Sequence, residues 1–355
     1  MTRHILFFIH GMGKHRPGWS DAAWKSLRDA YQLYDELHEF PFDQHFERHE
    51  IVFDNVFEWY RERWREDAAQ LNELIGVSDA APALIERVMS LAGSLGEDRF
   101  FTTHLLDVVM YRYLSLVAQP VRVQVAKQIA KKINQALNAE PQPWSVVSHS
   151  LGTSVAHDAL HYLFAGGESE IAVLSRENFA PEVGLFVANV SRLLEQPHLR
   201  VYRSLVRPSW QRANGIFDFY LNARHIYDPF TRIKPFDPDF DWLDEDTRDL
   251  RFARYQELRI SEVLHPDVHD LAHYLDNPGV HVPFFRALFR RSSMIKQASE
   301  RRETEAHRRR ALDARIDAAR EHLTRINDEM RPGVEGVIET AERFRALTEL
   351  WDVSP

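Results

Sequence analysis

The chain has 355 residues, 44% of them hydrophobic and 27% charged, enough to bury a sizeable core as one large domain with an appendage or as two domains. Its net charge of −9 argues against a general nucleic-acid binder. It has no cysteine, which excludes disulfides, thiolate metal sites and cysteine nucleophiles.

The first apolar run, His4 to Ile9, is continuous and predicts a strand buried on both faces. It is too short for the core of a signal peptide, and no run in the chain reaches the length of a membrane span, so a cytoplasmic protein is expected. His10-Gly11-Met12-Gly13 follows at once. Trp19 to Leu37 carries apolar residues at helical spacing, and Phe46 to Phe53 predicts the next strand. Residues 55–138 are mostly helical in pattern, far more chain than one crossover helix needs, and predict an inserted helical cap. Within it, Phe100, Phe101, Leu105 and Met110 suit either an acyl pocket or packing of cap against core.

Trp144 to Val147 is a short apolar run that meets the small-residue turn Ser148-His149-Ser150-Leu151-Gly152, and a helical pattern continues to Leu160. This is a strand–turn–helix with Ser150 at its apex. A nucleophile elbow needs small residues two before and two after the serine, because the turn brings two backbones close together. Gly152 meets that need, and Ser148 stands where a glycine is usual. The turn by itself also suits a plain cap serine.

A buried strand ending in His-Gly-x-Gly, followed later by Ser-His-Ser-Leu-Gly, resembles the α/β-hydrolase superfamily in its lipase and esterase branches. The stretch Leu105 to Tyr113, running on to the elbow, is similar to the DDHD-domain intracellular phospholipases A1, which hints at lipid-like esters. The resemblance implies an oxyanion hole built from the amides of Met12 and Leu151. It also implies that His10, Gly11 and His149 lie beside the substrate. Of these, His10 is better suited to ordering the oxyanion loop, and His149 to packing the elbow. The chain starts at the strand before that loop, so the family's opening antiparallel strands are expected to be missing.

Further apolar runs at Val183–Ala188, Leu221–Tyr227 and, more polar, Phe252–Val263 predict the remaining strands. Strands alternating with helices predict an α/β fold, a doubly wound, mostly parallel sheet with chemistry at its carboxyl ends. Ser150, Asp228 and His269 all follow apolar runs, in the chain order Ser…Asp…His of the family. A serine needs a neutral imidazole to take its proton, and the imidazole needs a carboxylate to fix its tautomer. Asp218, Asp237 and Asp239 are weaker carboxylate candidates, lying in polar or proline-broken stretches. His273 is the alternative base, and His265 and His281 crowd the same region. His269 and His273 are four apart, but they lack the glutamate of H-E-x-x-H and a third ligand, so no metal and no cofactor is expected.

Beyond Pro283 the character changes. Glu300 to Arg310 is a charge run expected on a solvated helix face. Leu312, Ile316, Ala319, Leu323, Ile326 and Met330 step by fours and threes, and a second amphipathic pattern runs from Val337 to Trp351. The expectation is a hydrolase domain over 1–290 and a C-terminal helical hairpin over 291–355, the hairpin available to a second copy or a protein partner. The expected function is a serine ester hydrolase acting on small-molecule or lipid esters, with two alternatives: a non-catalytic scaffold of the same fold, and an acyltransferase using the same residues.

Overall fold

The computed structural model describes residues 3–11, 15–59, 111–112, 115–136, 142–195, 199–209, 211, 213–228, 230–231, 234–238, 242, 253–264 and 267–311. Six strands form one sheet: β1 (His4–Ile9), β2 (Phe46–Ile51), β3 (Trp144–His149), β4 (Val183–Val187), β5 (Phe219–His225) and β6 (Tyr255–Ile260). All are parallel, in the order β2-β1-β3-β4-β5-β6.

The continuous apolar runs have a direct cause in this architecture. In β1, Ile5, Phe7 and Ile9 enter one core while Leu6 and Phe8 enter the other. The first core is closed by α3 (Ser115–Ala136) and α4 (Leu151–Ala165), through residues such as Val121, Val125, Val155 and Leu163. The second is closed by α1 (Asp21–Gln32), α6 (Leu271–Asp276) and α7 (Pro278–Leu288), through Leu27, Tyr31, Tyr274 and Phe285. A strand covered on both sides has no use for polar alternation. The edge strands do. In β6, Gln256, Leu258 and Ile260 are buried, whereas the residues between them are not, and β2 is fully buried only at its two ends.

Two short helices, α2 (Phe42–His45) and α5 (Arg176–Phe179), lie in the connections. The first long helix stops at Gln32, short of the predicted Leu37, and is followed by a separate 3₁₀ turn over Asp35–Leu37. Of the stretch expected to form a cap, residues 60–110 lie outside the described residues. Its last part, α3, shares a core with the sheet and α4. The charge run forms α8 (Gln297–Arg310), tied to the body by Arg286–Glu300 at 2.8 Å and by Ser299 Oγ donating to Glu36 at 2.7 Å. Of the hairpin expected over 291–355, residues 291–311 hold α8, and residues 312–355 lie outside the described residues. Among them, no helix is long and apolar enough to cross a membrane.

Candidate functional site

The chain leaves β1 for β2 on one side and returns across it to β3 on the other, so the crevice between β1 and β3 is the sheet's switch point. Gly11 and Ser150 sit there, just past the carboxyl ends of the two strands. Register brings them together, with Ile9 opposite Ser148. A Cβ on Gly11 would stand 2.9 Å from the Ser150 Cβ.

Ser150 has φ +52° and ψ −126°, a backbone state that side-chain-bearing residues seldom adopt and that costs on the order of 1–3 kcal/mol. Neighbouring groups hold it there. The Ser150 N–H donates to Val187 O at 3.0 Å. Thr153 Oγ1 donates to Ser150 O at 2.7 Å and accepts from Val190 N at 3.0 Å. Gly152 is sterically obligatory, since any Cβ there would stand 2.1 Å from His10 O. Leu151 opens α4, so its N–H is among the first-turn amides that find no partner inside the helix. Met12, the other amide implied for an oxyanion hole, lies outside the described residues.

Asp228 follows β5 and is fully buried. Its Oδ2 accepts from His269 Nδ1 at 2.8 Å and from the Tyr274 hydroxyl at 3.0 Å, and its Oδ1 accepts from Phe230 N at 3.1 Å. Burial alone would raise the Asp228 pKa; the His269 charge and these three donors outweigh it and hold the carboxyl below its ordinary value. For His269, burial opposes the imidazolium, but the Asp228 charge prevails and lifts the pKa above that of an ordinary histidine. Because Nδ1 carries the proton toward Asp228, Nε2 presents a lone pair. That Nε2 and the Ser150 hydroxyl are both buried, and neither has a hydrogen-bond partner among the described residues. They are two of several such atoms among the described residues, Ser148 Oγ and His307 Nε2 being others; what sets them apart is that one sits on a strained turn and the other belongs to an imidazole bonded to a buried carboxylate.

His149 connects the elbow to the histidine loop. Its Nε2 donates to the backbone carbonyl of His269 at 2.6 Å, and the two rings lie 4.8 Å apart. Burial drives its pKa down to about 3, so it serves as a neutral donor. On the other flank, the Phe230 ring is also 4.8 Å from His269. His273, the alternative base, turns away. Its ring bonds Glu262 O at 3.1 Å, while its backbone N–H is capped by Asp270. His281 is a core histidine, donating to Leu275 O at 2.9 Å and accepting from Tyr34 at 2.8 Å. Asp218 pairs with Arg254 and Arg290, and Asp237 lies beside Tyr202. His265 and Asp239 lie outside the described residues.

His10 is buried, with both ring nitrogens engaged: Nδ1 donates to Gly11 O at 2.9 Å and Nε2 accepts from Phe53 N at 3.3 Å. With His15 and Asp54 it forms a group whose donor atoms lie within 4.8 Å of one another. The His10 and His15 rings stack, 4.1 Å apart and 21° from parallel. Imidazole lone pairs lie in the ring plane, so two stacked rings cannot direct theirs at one ion without turning. As arranged, the group makes local bonds: the His15 N–H bonds the Asp54 carboxylate, and His10 Nδ1 bonds Gly11 O.

Tyr274 has no place in the sequence reading. No motif marks it, and its only signal is that it lies five residues beyond His269, on the short helix α6 that begins two residues after that histidine. Searches against protein-family models, curated proteins and solved structures returned no match. The functional reading therefore rests on the residues themselves.

Proposed function

We propose that the protein is a serine hydrolase of carboxylic esters, built on an α/β-hydrolase type of sheet. Ser150 Oγ attacks the acyl carbonyl while His269 Nε2 takes its proton. Asp228 keeps His269 in the Nδ1–H tautomer and stabilises the imidazolium that forms. The Leu151 and Met12 amides receive the oxyanion, an assignment that comes from the resemblance at His10-Gly11-Met12-Gly13. His269 then returns the proton to the departing alkoxide, and water, activated by the same nitrogen, hydrolyses the acyl-serine.

One observation carries this reading: a hydroxyl on a strained strand–helix turn and an imidazole oriented by a buried carboxylate, each lacking a partner in one crevice. An orphaned atom alone would carry little, since Ser148 Oγ and His307 Nε2 are also unpartnered; the strained turn and the carboxylate-bound imidazole together support the reading. The strand order adds that Ser150 lies at the switch point of a doubly wound sheet, where such folds bind their ligands. The resemblance of Leu105–Tyr113 to the DDHD-domain phospholipases adds lipid-like esters to the substrates to be tried.

A second reading is a non-catalytic scaffold of the same fold. What favours it is that Ser150 Oγ and His269 Nε2 are enclosed and not bonded to each other. Labelling decides between the two. A fluorophosphonate probe should modify Ser150 of the full chain, located by peptide mapping, and p-nitrophenyl esters should be turned over. Ser150→Ala should lose both, with a kcat deficit on the order of a thousandfold or more. Folded wild-type protein that neither labels nor hydrolyses esters would establish the scaffold reading instead.

A further inference from the structure

Asp228 is held from three directions, and one of its partners is a side chain that the ester-hydrolase reading does not use. The Tyr274 hydroxyl donates to Oδ2, the same oxygen that receives His269 Nδ1, at 3.0 Å against 2.8 Å. The hydroxyl also accepts from the His225 backbone N–H at 2.8 Å. That bond anchors it to the end of β5, three residues before Asp228 itself. With its acceptor side occupied, the phenol has one direction left in which to donate, and Asp228 lies there. Tyr274 is fully buried on α6, the helix that also carries His273 and starts two residues after His269. The phenol therefore joins three parts of the site: the end of β5, the carboxylate and the histidine loop.

We infer that Tyr274 is a positioning residue that fixes the Asp228 carboxylate and shares its charge with His269, setting how strongly His269 binds a proton. This inference rests on the proposed serine-hydrolase function. A carboxylate oxygen that accepts two hydrogen bonds divides its charge between them. Removing the phenol proton leaves more of that charge facing His269, so the imidazolium is favoured. Deepening the phenol's acidity has the opposite effect. Burial and the neighbouring Asp228 charge keep the phenol protonated far above neutral pH.

Among the described residues, the other charged or titratable groups with the largest effect on His269 are Asp267 and Asp270 on its own loop, both favouring the imidazolium, and His149 at the elbow, which stays neutral. Asp267 caps the His269 backbone N–H at 3.1 Å, and Asp270 caps α6. A change at Tyr274 therefore leaves their arrangement in place and reaches His269 through Asp228.

The test uses Tyr274→Phe and, because losing the acceptor for the His225 N–H could weaken folding, a second variant with 3-fluorotyrosine placed at 274. The fluorinated phenol keeps both bonds and is a stronger donor. Three quantities are read on the full chain: the pH profile of kcat/KM for a p-nitrophenyl ester, KM itself, and the low-field proton resonance of His269 Nδ1–H. Tyr274→Phe should lower kcat on the order of tenfold with KM little changed. It should also move the acid limb to higher pH by about half a unit to one unit. Fluorotyrosine should move that limb to lower pH, and the low-field resonance should shift in opposite senses in the two variants. An acid limb and a resonance unmoved in both variants, with wild-type turnover intact, would overturn the inference. Failure of wild type to label or turn over would instead reject the hydrolase reading, and the resonance would still report whether Tyr274 acts on the Asp228–His269 pair.

Discussion

At the scale of single residues, the four-residue step from His269 to His273 decides which histidine meets the carboxylate. His269 precedes α6, where the loop is free to aim its ring at Asp228; His273 lies inside the first turn of the helix, with its ring on Glu262 O. One helical turn advances about 5.4 Å, so the two rings cannot exchange places without unwinding α6. His269→Ala should lose kcat on the order of a thousandfold or more, and combining it with Ser150→Ala should add little, because residues that act as a unit are not additive. His273→Ala should leave kcat within about tenfold, with its cost appearing in stability through the lost Glu262 contact. Steady-state kinetics and urea midpoints on the three variants check this. A His273→Ala protein that is stable yet as inactive as His269→Ala would reverse the assignment. The sequence order named a carboxylate and left two histidines open. What separates them, the start of α6 at Leu271 and the direction of each ring, is a property of the folded chain.

At the scale of elements, the elbow depends on how closely α4 approaches β1. Gly152 lies so near the end of β1 that a methyl group would overlap the His10 carbonyl at 2.1 Å and the Ile9 carbonyl at 2.6 Å, both unyielding backbone atoms. Gly152→Ala should therefore push the start of α4 off the sheet. It should destabilise the fold by about 1–3 kcal/mol, and more if the strand cannot shift. Urea unfolding should show a lower midpoint at unchanged slope, together with a loss of Ser150 labelling. A midpoint equal to wild type would mean that the contact relaxes at no cost. Gly152 could be read from the sequence because this requirement is steric and local. The strands β1, β3 and β4 were legible for a related reason: two buried faces leave a run of apolar residues that little else produces. The polar edge strand β6 gave a weaker signal and was placed with looser ends. The partner of Asp228 on α6 was not legible at all. A tyrosine that bonds one side chain across forty-six residues leaves no periodic or spaced mark in the chain.

At the scale of the whole molecule, buried neutral histidines are distributed through the fold, and they make its stability depend on pH in a definite sense. His4 joins β1 to Ser145 on β3, His10 bonds Gly11 and the Phe53 N–H, His149 bonds the His269 carbonyl, and His281 joins α7 to Tyr34. Burial lowers their pKa values to about 3, 4, 3 and 4 in that order. In the unfolded chain each returns to about 6.5. Between those values the unfolded state binds more protons, so stability is complete above about pH 6.5 and falls as the pH drops toward the folded-state values. Each histidine contributes a slope of about 1.4 kcal/mol per pH unit, so four acting together approach about 5 kcal/mol per unit. His269 acts the other way, its raised pKa adding stability that is lost as the pH rises through its folded value, but it is a single group, and burial lowers His45, His49, His161 and His307 as well. A net stability of about 5–15 kcal/mol is exhausted within one to three units at such a slope, which places acid unfolding at about pH 3.5–5.5. Urea midpoints followed by tryptophan fluorescence should be flat near neutrality and then fall steeply below about pH 6.5. His281→Gln should flatten the acid slope by about one proton, at some cost in stability at neutral pH. A wild-type midpoint that holds steady down to pH 4.5 would show that these histidines take up protons without unfolding the chain.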